Sequence, residues 1–285
     1  MAETLYPIIK PSELTGLDKN DNLVLIDARS GNDALEKYLQ AHLNGALFVD
    51  LEKDLADIKT DVAQGGRHPL PGLREFARFI GTLGIDKISH VIVYDDKNGA
   101  NAAARFWWMV RAIGHKKVQV LDGGYEAAKE AGFPITAGEE KVQQKEAYEV
   151  SEWLLPTATM DEAGTAAADN NSAVVDVREE KRYDGIYEPI DLIAGHIPGA
   201  INIPFTDNLD ENGRFLSPEK LKSKYVELPG GIGSAKTIVH CGSGVTACHT
   251  ILAMDAAGLP IPTLYTGSWS EWSRNNKPVA TTKAN

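Results

Sequence analysis

The strongest constraint on this chain is that it repeats itself. Val24-Leu25-Ile26-Asp27-Ala28-Arg29, an apolar run ending in Asp-x-Arg, returns as Val174-Val175-Asp176-Val177-Arg178. Ala41-His42-Leu43-Asn44-Gly45-Ala46 returns as Gly195-His196-Ile197-Pro198-Gly199-Ala200. His90-Val91-Ile92-Val93-Tyr94-Asp95 is answered by Thr237-Ile238-Val239-His240-Cys241, and Val120-Leu121-Asp122-Gly123-Gly124 by Leu264-Tyr265-Thr266-Gly267-Ser268. Landmarks that recur in one order imply a duplicated domain. A length of 285 residues suits two cores better than one. Residues 138–150 are polar and lack an apolar period, as a connecting segment would. The expected division is therefore 1–137, a linker at 138–150, and 151–285.

Within each half, short Val/Ile-rich runs alternate with helical patterns. Residues 91–94 read as a buried strand and 102–113 as a helix, with Phe106, Met109, Val110 and Ile113 at helical spacing and Gly114 as its stop. Residues 118–121 read as the next strand. The second half offers a strand at 237–240 and a helix at 245–257, closed by Gly258. Such alternation predicts an α/β fold, each domain a parallel sheet flanked by helices on both faces. Ligands of such sheets bind beyond the carboxyl ends of the strands, which directs attention to the loop after His240.

Composition narrows the function classes. Hydrophobic residues at 43% and charged residues at 24% describe an ordinary soluble globular protein. A net charge of -11 argues against a nucleic-acid partner, although a local field can still accept a small anion. Two cysteines cannot staple a chain this long, so a reducing compartment is expected. The first residues show no basic region followed by an apolar stretch, and no apolar run reaches the roughly 18 residues of a membrane span. The expectation is a cytoplasmic protein with no membrane partner.

The loop His240-Cys241-Gly242-Ser243-Gly244-Val245-Thr246-Ala247 carries the chemistry. A cysteine at a strand end, followed by two glycines and then a helix, suits an anionic sulfur. The glycines let backbone N–H groups curl inward as an anion nest, and the helix adds the positive end of its dipole. Such a setting favours a reactive thiolate, and the same donors could hold a persulfide. Cys248 lies inside the helix and reads as a small core side chain. No metal is expected, because Cys241, Cys248 and His249 lack ligand spacing with other Cys or His residues.

Cys-Gly-Ser-Gly-Val-Thr-Ala at 241–247 resembles the active-site loop of two-domain rhodanese-like sulfurtransferases. The resemblance covers nearly the whole chain. It includes Arg-Phe-Trp-Trp-Met at 105–109, Leu-Asp-Gly-Gly at 121–124, Gly-His-Ile-Pro-Gly-Ala at 195–200 and Gly-Ser-Trp-Ser-Glu-Trp at 267–272. It implies two tandem rhodanese-like domains, with catalysis in the second. Asp95 stands where the first would need its cysteine, so that half is expected to be inert. It implies a Cys241 persulfide, formed from a small anionic sulfur donor and passed to cyanide, a small thiol or a protein thiol, without cofactor or metal. Gly242, Gly244, Val245, Thr246 and Ala247 would hold the transferred sulfur.

The neutral loop resembles that of enzymes using 3-mercaptopyruvate, whereas thiosulfate enzymes carry basic side chains after the cysteine. Thiosulfate remains the alternative donor, and a non-catalytic persulfide relay a remoter alternative. By the same resemblance Arg182 would bind the donor carboxylate through paired hydrogen bonds, and Ser243 and His68 would relay protons, with Glu52 where an aspartate is usual. A second arginine expected between Arg182 and Gly195 is absent; the chain has Ile186-Tyr187-Glu188-Pro189-Ile190-Asp191-Leu192 there. Arg178 repeats as Arg29 and His196 as His42, which marks all four as structural. Trp107, Trp108, Trp269 and Trp272 read as packing residues. The loop also resembles the phosphatase signature His-Cys-x5-Arg, but Ala247 occupies the arginine position and removes the phosphoryl clamp.

Overall fold

The computed structural model describes residues 5–17, 22–229 and 236–282. The chain divides into two compact units. One comprises Met1–Ala56, Pro71–Leu154 and Glu211–Arg214; the other comprises Asp57–Leu70, Leu155–Asp210 and Phe215–Asn285.

In chain order the first unit contains β1 (Ile8–Ile9), α1 (Pro11–Thr15), β2 (Leu23–Asp27), α2 (Ala34–Gln40), β3 (His42–Leu43), β4 (Ala46–Phe48) and α3 (Leu73–Thr82). It continues with β5 (His90–Tyr94), α4 (Ala102–Ala112), β6 (Val118–Leu121), α5 (Gly124–Glu130) and β7 (Ile135–Thr136). The parallel sheet runs β1-β6-β5-β2-β4, and β3 pairs antiparallel with β7. The second unit contains β8 (Thr157–Ala158), α6 (Met160–Ala167), β9 (Ala173–Asp176), α7 (Glu180–Tyr183) and β10 (Ile201–Asn202). After a 3-10 turn at Phe205–Asn208 come α8 (Pro218–Tyr225), β11 (Thr237–His240), α9 (Thr246–Ala256), β12 (Thr263–Tyr265) and α10 (Ser268–Trp272). Its parallel sheet runs β10-β9-β11-β12-β8. Read from the opposite edge, this is the strand order of the first unit. The duplication seen in the sequence is thus one topology used twice, each time an α/β fold with flanking helices.

The reason lies in the pattern of burial. The central strands are buried along almost their whole length (Val91–Tyr94, Ala173–Asp176, Thr237–His240), as parallel strands under helices must be. In α4 every residue from Ala102 to Val110 is buried, Arg105 included, so this helix is apolar nearly all round. By contrast α3 buries one stripe, Phe76, Ala77 and Ile80. Residues 138–150 form no helix or strand. They run along α3, where Lys145 and Tyr148 N–H donate to the Gly81 and Ala77 carbonyls at 2.9 Å.

The repeated side chains hold the same joints in both units. Arg29 is paired with Asp27 at 2.7 Å and donates to the Ala41 carbonyl; Arg178 is paired with Asp176 at 2.6 Å and donates to the Gly195 carbonyl. His42 stacks on Tyr38 and bonds its carbonyl, and His196 does the same with Tyr183. The four tryptophans expected to be packing residues are buried.

One polar group in the second unit opposes packing. Lys224 in α8 reaches Asn208 Oδ1 at 3.2 Å, and burial lowers its pKa to about 8 against a small opposing pull from Asp207. Its ordinary value is 10.5. The ammonium is therefore disfavoured by folding below pH 8, and this cost fades as pH rises from 8 to 10.5. Lys224→Met should raise thermal stability at pH 7 by on the order of 1 kcal/mol, after discounting for partial exposure. The gain should shrink toward pH 10 in paired melting curves; a gain independent of pH would refute the assignment.

Candidate active site

Apart from Glu52 and the loop at Asp95, which belong to the first unit, the groups of the candidate site belong to the second unit. Cys241 follows β11 directly, and α9 begins at Thr246. The five-residue connection closes tightly because Gly244 adopts φ +75°. A Cβ there would lie 2.5 Å from the Thr266 carbonyl oxygen, so both the conformation and the space require glycine. The segment Gly267-Ser268-Trp269-Ser270 pins the outer side of the loop. Trp269 and Ser270 N–H donate to the Cys241 and Gly242 carbonyls at 3.0 and 2.8 Å, and Ser268 Oγ accepts the Cys241 N–H at 3.2 Å. In a trans peptide the N–H points opposite the carbonyl, so these bonds turn the Gly242 and Ser243 N–H groups away from that segment.

The Gly244 N–H donates to Cys241 Sγ at 3.1 Å. Cys241 is buried, a free thiol, and lies at the approach to the α9 N-terminus. Val245 and Ala247 are buried in the first turn, with Thr246 partly exposed between them. Cys248 is also a free thiol, buried in α9 with its Sγ toward the Gly244 carbonyl at 3.3 Å. His240 is buried beside Asp176 at 3.8 Å, and burial lowers its pKa against the pull of that carboxylate, which keeps the ring neutral near pH 7.

The corresponding loop of the first unit shows what such a turn can hold. The Asp95 carboxylate accepts N–H groups from Lys97, Gly99, Asn101 and Ala103 at 2.8–3.2 Å. Burial raises its pKa above the ordinary value, against the partial opposing pull of these four bonds. A carboxyl side chain thus sits at the strand end inside a ring of main-chain amides.

The segment 57–70 contributes two side chains to the second unit. It is fastened there by Gly65 N–H to Glu271, Arg67 N–H to Ser270 Oγ, and the Asn275 amide to the Ala63 carbonyl, at 2.9–3.0 Å. His68 Nδ1 consequently lies 2.8 Å from Ser243 Oγ, in a hydrogen bond whose direction follows the imidazole tautomer. Arg67 lies beside Gly242, with Nη2 2.8 Å from where a Cβ would stand. Glu52 belongs to the first unit, where it is exposed and its N–H donates to Asp50.

Arg182 is placed near the loop but is not open-handed. Its Nε donates to both Glu188 oxygens at 3.0 Å and its Nη2 to Asp191 Oδ2 at 3.1 Å. Glu188 is held below the ordinary carboxylate range: burial raises it, but Arg182 and the Asp191 and Ile190 N–H groups outweigh that. The Asp191 side chain is fully buried and also accepts from Arg67 Nε at 3.0 Å and Arg274 Nη1 at 3.4 Å. Sequence reasoning brought Cys241, Ser243, His68 and Arg182 forward, and the structure gathers them in one unit. It overlooked Arg67, Glu188, Asp191 and Arg274. The available signals were an arginine directly before His68 and the carboxylates Glu188 and Asp191 in the segment that follows Arg182. Among the described residues, no group of His, Cys, Asp and Glu is arranged to hold a metal ion, and no helix is long and apolar enough to cross a membrane.

Comparison with known proteins gives a uniform result. The family model described as rhodanese-like domain matches residues 10–131 and again 159–275. The chain is 42% identical over 249 residues to a probable 3-mercaptopyruvate sulfurtransferase of Pseudomonas aeruginosa, covering 86% of each. It is 36% identical over 250 residues to the thiosulfate sulfurtransferase of Gallus gallus, covering 86% of this chain and 83% of that one. The solved 3-mercaptopyruvate sulfurtransferase of Leishmania major superposes with a TM-score of 0.81 at 28% identity, over 94% of this chain and 74% of that one.

Proposed function

This chain belongs to the rhodanese-like family and is a sulfurtransferase, and from that premise we propose that it moves sulfur from 3-mercaptopyruvate to a thiophilic acceptor through a persulfide on Cys241. The observation that carries the reading is the Gly244 N–H on Cys241 Sγ, in a loop whose twin holds the Asp95 carboxylate with four amides.

The Cys241 thiolate attacks the donor sulfur. The carbon–sulfur bond breaks, its electron pair passes to C3 as the pyruvate enolate, and the thiol proton is delivered to that carbon. The enzyme is left as the Cys241 persulfide anion, and pyruvate departs. Cyanide then takes the outer sulfur as thiocyanate and regenerates the thiolate; a small or protein thiol takes it as a new persulfide. Gly242, Gly244, Val245, Thr246 and Ala247 surround the transferred sulfur with amides already in place, so little reorganisation is needed. The Ser243–His68 pair relays the thiol proton toward C3. Arg182 faces the donor carboxylate while Glu188 and Asp191 hold its guanidinium in position.

Thiosulfate can load the same cysteine. The outer sulfur is attacked, the sulfur–sulfur bond breaks and sulfite leaves, and no proton moves. This difference supplies the test. His68→Gln should reduce kcat with 3-mercaptopyruvate by roughly 10²-fold or more, read as thiocyanate formed from cyanide. With thiosulfate it should change kcat by only a few-fold. Equal losses with both donors would remove His68 from the relay. A wild-type kcat/KM that favours thiosulfate over 3-mercaptopyruvate would overturn the donor assignment.

A further inference from the structure

We propose that Asp191 is a specificity-determining residue: it compensates part of an arginine cluster beside the Cys241 loop, so that the site keeps a surplus of one positive charge and selects a monoanionic sulfur donor over a dianionic one. The proposal rests on the sulfurtransferase reading above and names the chemical class of its donor.

The cluster is one connected network within the second unit. Asp176 pairs with Arg178, Arg178 with Glu188, Glu188 with Arg182, and Arg182 with Asp191. Asp191 then pairs with both Arg67 and Arg274. Four guanidinium groups thus share three carboxylates. His240 at the Asp176 end is neutral near pH 7 and does not alter the balance. The adjacent Glu271 is turned elsewhere, accepting Tyr265 Oη at 2.8 Å and the Gly65 N–H at 3.0 Å.

The network meets the catalytic loop at the residue after the cysteine. A Cβ built on Gly242 would stand 2.8 Å from Arg67 Nη2, 3.3 Å from Asp191 Oδ2 and 3.4 Å from Arg182 Nη2. Asp191 is the hub of this network, since it bonds three of the four arginines and its carboxylate is fully buried. The Arg67 and Arg274 side chains are 25% and 24% exposed and so remain within reach of a dissolved anion. 3-Mercaptopyruvate near neutral pH carries one charge, on its carboxylate, whereas thiosulfate carries two. A surplus of one matches the first. Removing the Asp191 charge would raise the surplus to two and favour the second. Because the groups lie within a few ångströms of the loop in a partly dehydrated site, a unit charge there outweighs the distant net charge of the protein.

The experiment measures kcat/KM for 3-mercaptopyruvate and for thiosulfate, with cyanide as acceptor, in the wild type and three variants. Asp191→Asn should raise the thiosulfate-to-mercaptopyruvate ratio by at least about tenfold, chiefly through a lower KM for thiosulfate that weakens with added salt. Asp191→Glu keeps the charge and should keep the wild-type ratio. Arg274→Gln removes one positive charge from a partly exposed position and should lower the ratio, which preserves the test should Asp191→Asn fail to fold. An unchanged ratio in folded Asp191→Asn, an unchanged ratio in Arg274→Gln, or the same change in Asp191→Glu as in Asp191→Asn overturns the proposal. Failure of the donor reading shows separately, as absence of mercaptopyruvate turnover in the wild type. The role of Asp191 is then still read from the KM for thiosulfate and its salt dependence.

Discussion

Cys241→Ser should lose sulfur transfer from 3-mercaptopyruvate and from thiosulfate alike, by on the order of 10⁴-fold or more. A serine hydroxyl neither ionises near neutral pH nor forms a stable persulfide equivalent, so the covalent intermediate disappears with either donor. The fold should persist, because the exchange replaces sulfur by oxygen in a loop fixed by its backbone. The Cys241 carbonyl remains bonded to Trp269 and its N–H to Ser268 Oγ, and Gly244 keeps its φ. Thiocyanate formation measures the activity, and mass spectrometry of wild-type protein treated with donor alone should show one added sulfur on the peptide containing Cys241. Substantial turnover by a folded serine variant, or sulfur loading on Cys248 instead, would remove Cys241 from the centre of the scheme.

Asp176→Ala should destabilise the second unit strongly, costing about 3–5 kcal/mol. The carboxylate is inaccessible and binds Arg178 at 2.6 Å, and Arg178 is itself buried, stacked over Trp269 and bonded to the Gly195 carbonyl. Removing the acid leaves a buried guanidinium without its main partner. Burial raises the Asp176 pKa, but the charges of Arg178 and His240 and the bonds from Arg178 outweigh it, so the folded value lies below 3.8. Its stabilisation is therefore fully present above the ordinary carboxylate range and is lost as pH falls through the folded value. Denaturant titrations at pH 7 and at pH 3 should show the penalty of Asp176→Ala shrinking on acidification. A loss below about 1 kcal/mol at pH 7 would contradict the role given to this pair.

The twin pair Asp27–Arg29 has the same geometry, with Arg29 over Tyr125 at 4.6 Å. That correspondence was legible in the sequence because Asp-x-Arg ends an apolar run in both halves. The strands at 91–94 and 237–240 were legible for a related reason: a strand buried on both faces is written as a short run rich in Val and Ile, and α4 and α9 follow with glycine stops. The Cys241 loop was legible too, since a cysteine followed by two glycines at a strand–helix junction is a local arrangement. Gly244 is required by its φ of +75° and by the Thr266 carbonyl oxygen, 2.5 Å from where a Cβ would stand.

Arg67, Glu188, Asp191 and Arg274 were not legible as a cluster. They are far apart in the chain, and nothing in their local sequence states that they converge on Gly242. The missing second arginine read from 186–192 was a correct observation about the chain, but it could not reveal that Arg67 lies beside the loop.

By itself the sequence determined the duplicated α/β architecture, the strand–loop–helix that carries Cys241 and the aspartate at the matching position of the other half, because each is written in residues that stand close together in the chain. Only the tertiary structure decided that Asp57–Leu70 packs with the second unit, that His68 meets Ser243, and that a buried Asp191 ties three arginines together. Those pairings depend on long-range packing and on the neutralisation of charge in a dehydrated interior, and neither leaves a periodic mark on the order of residues.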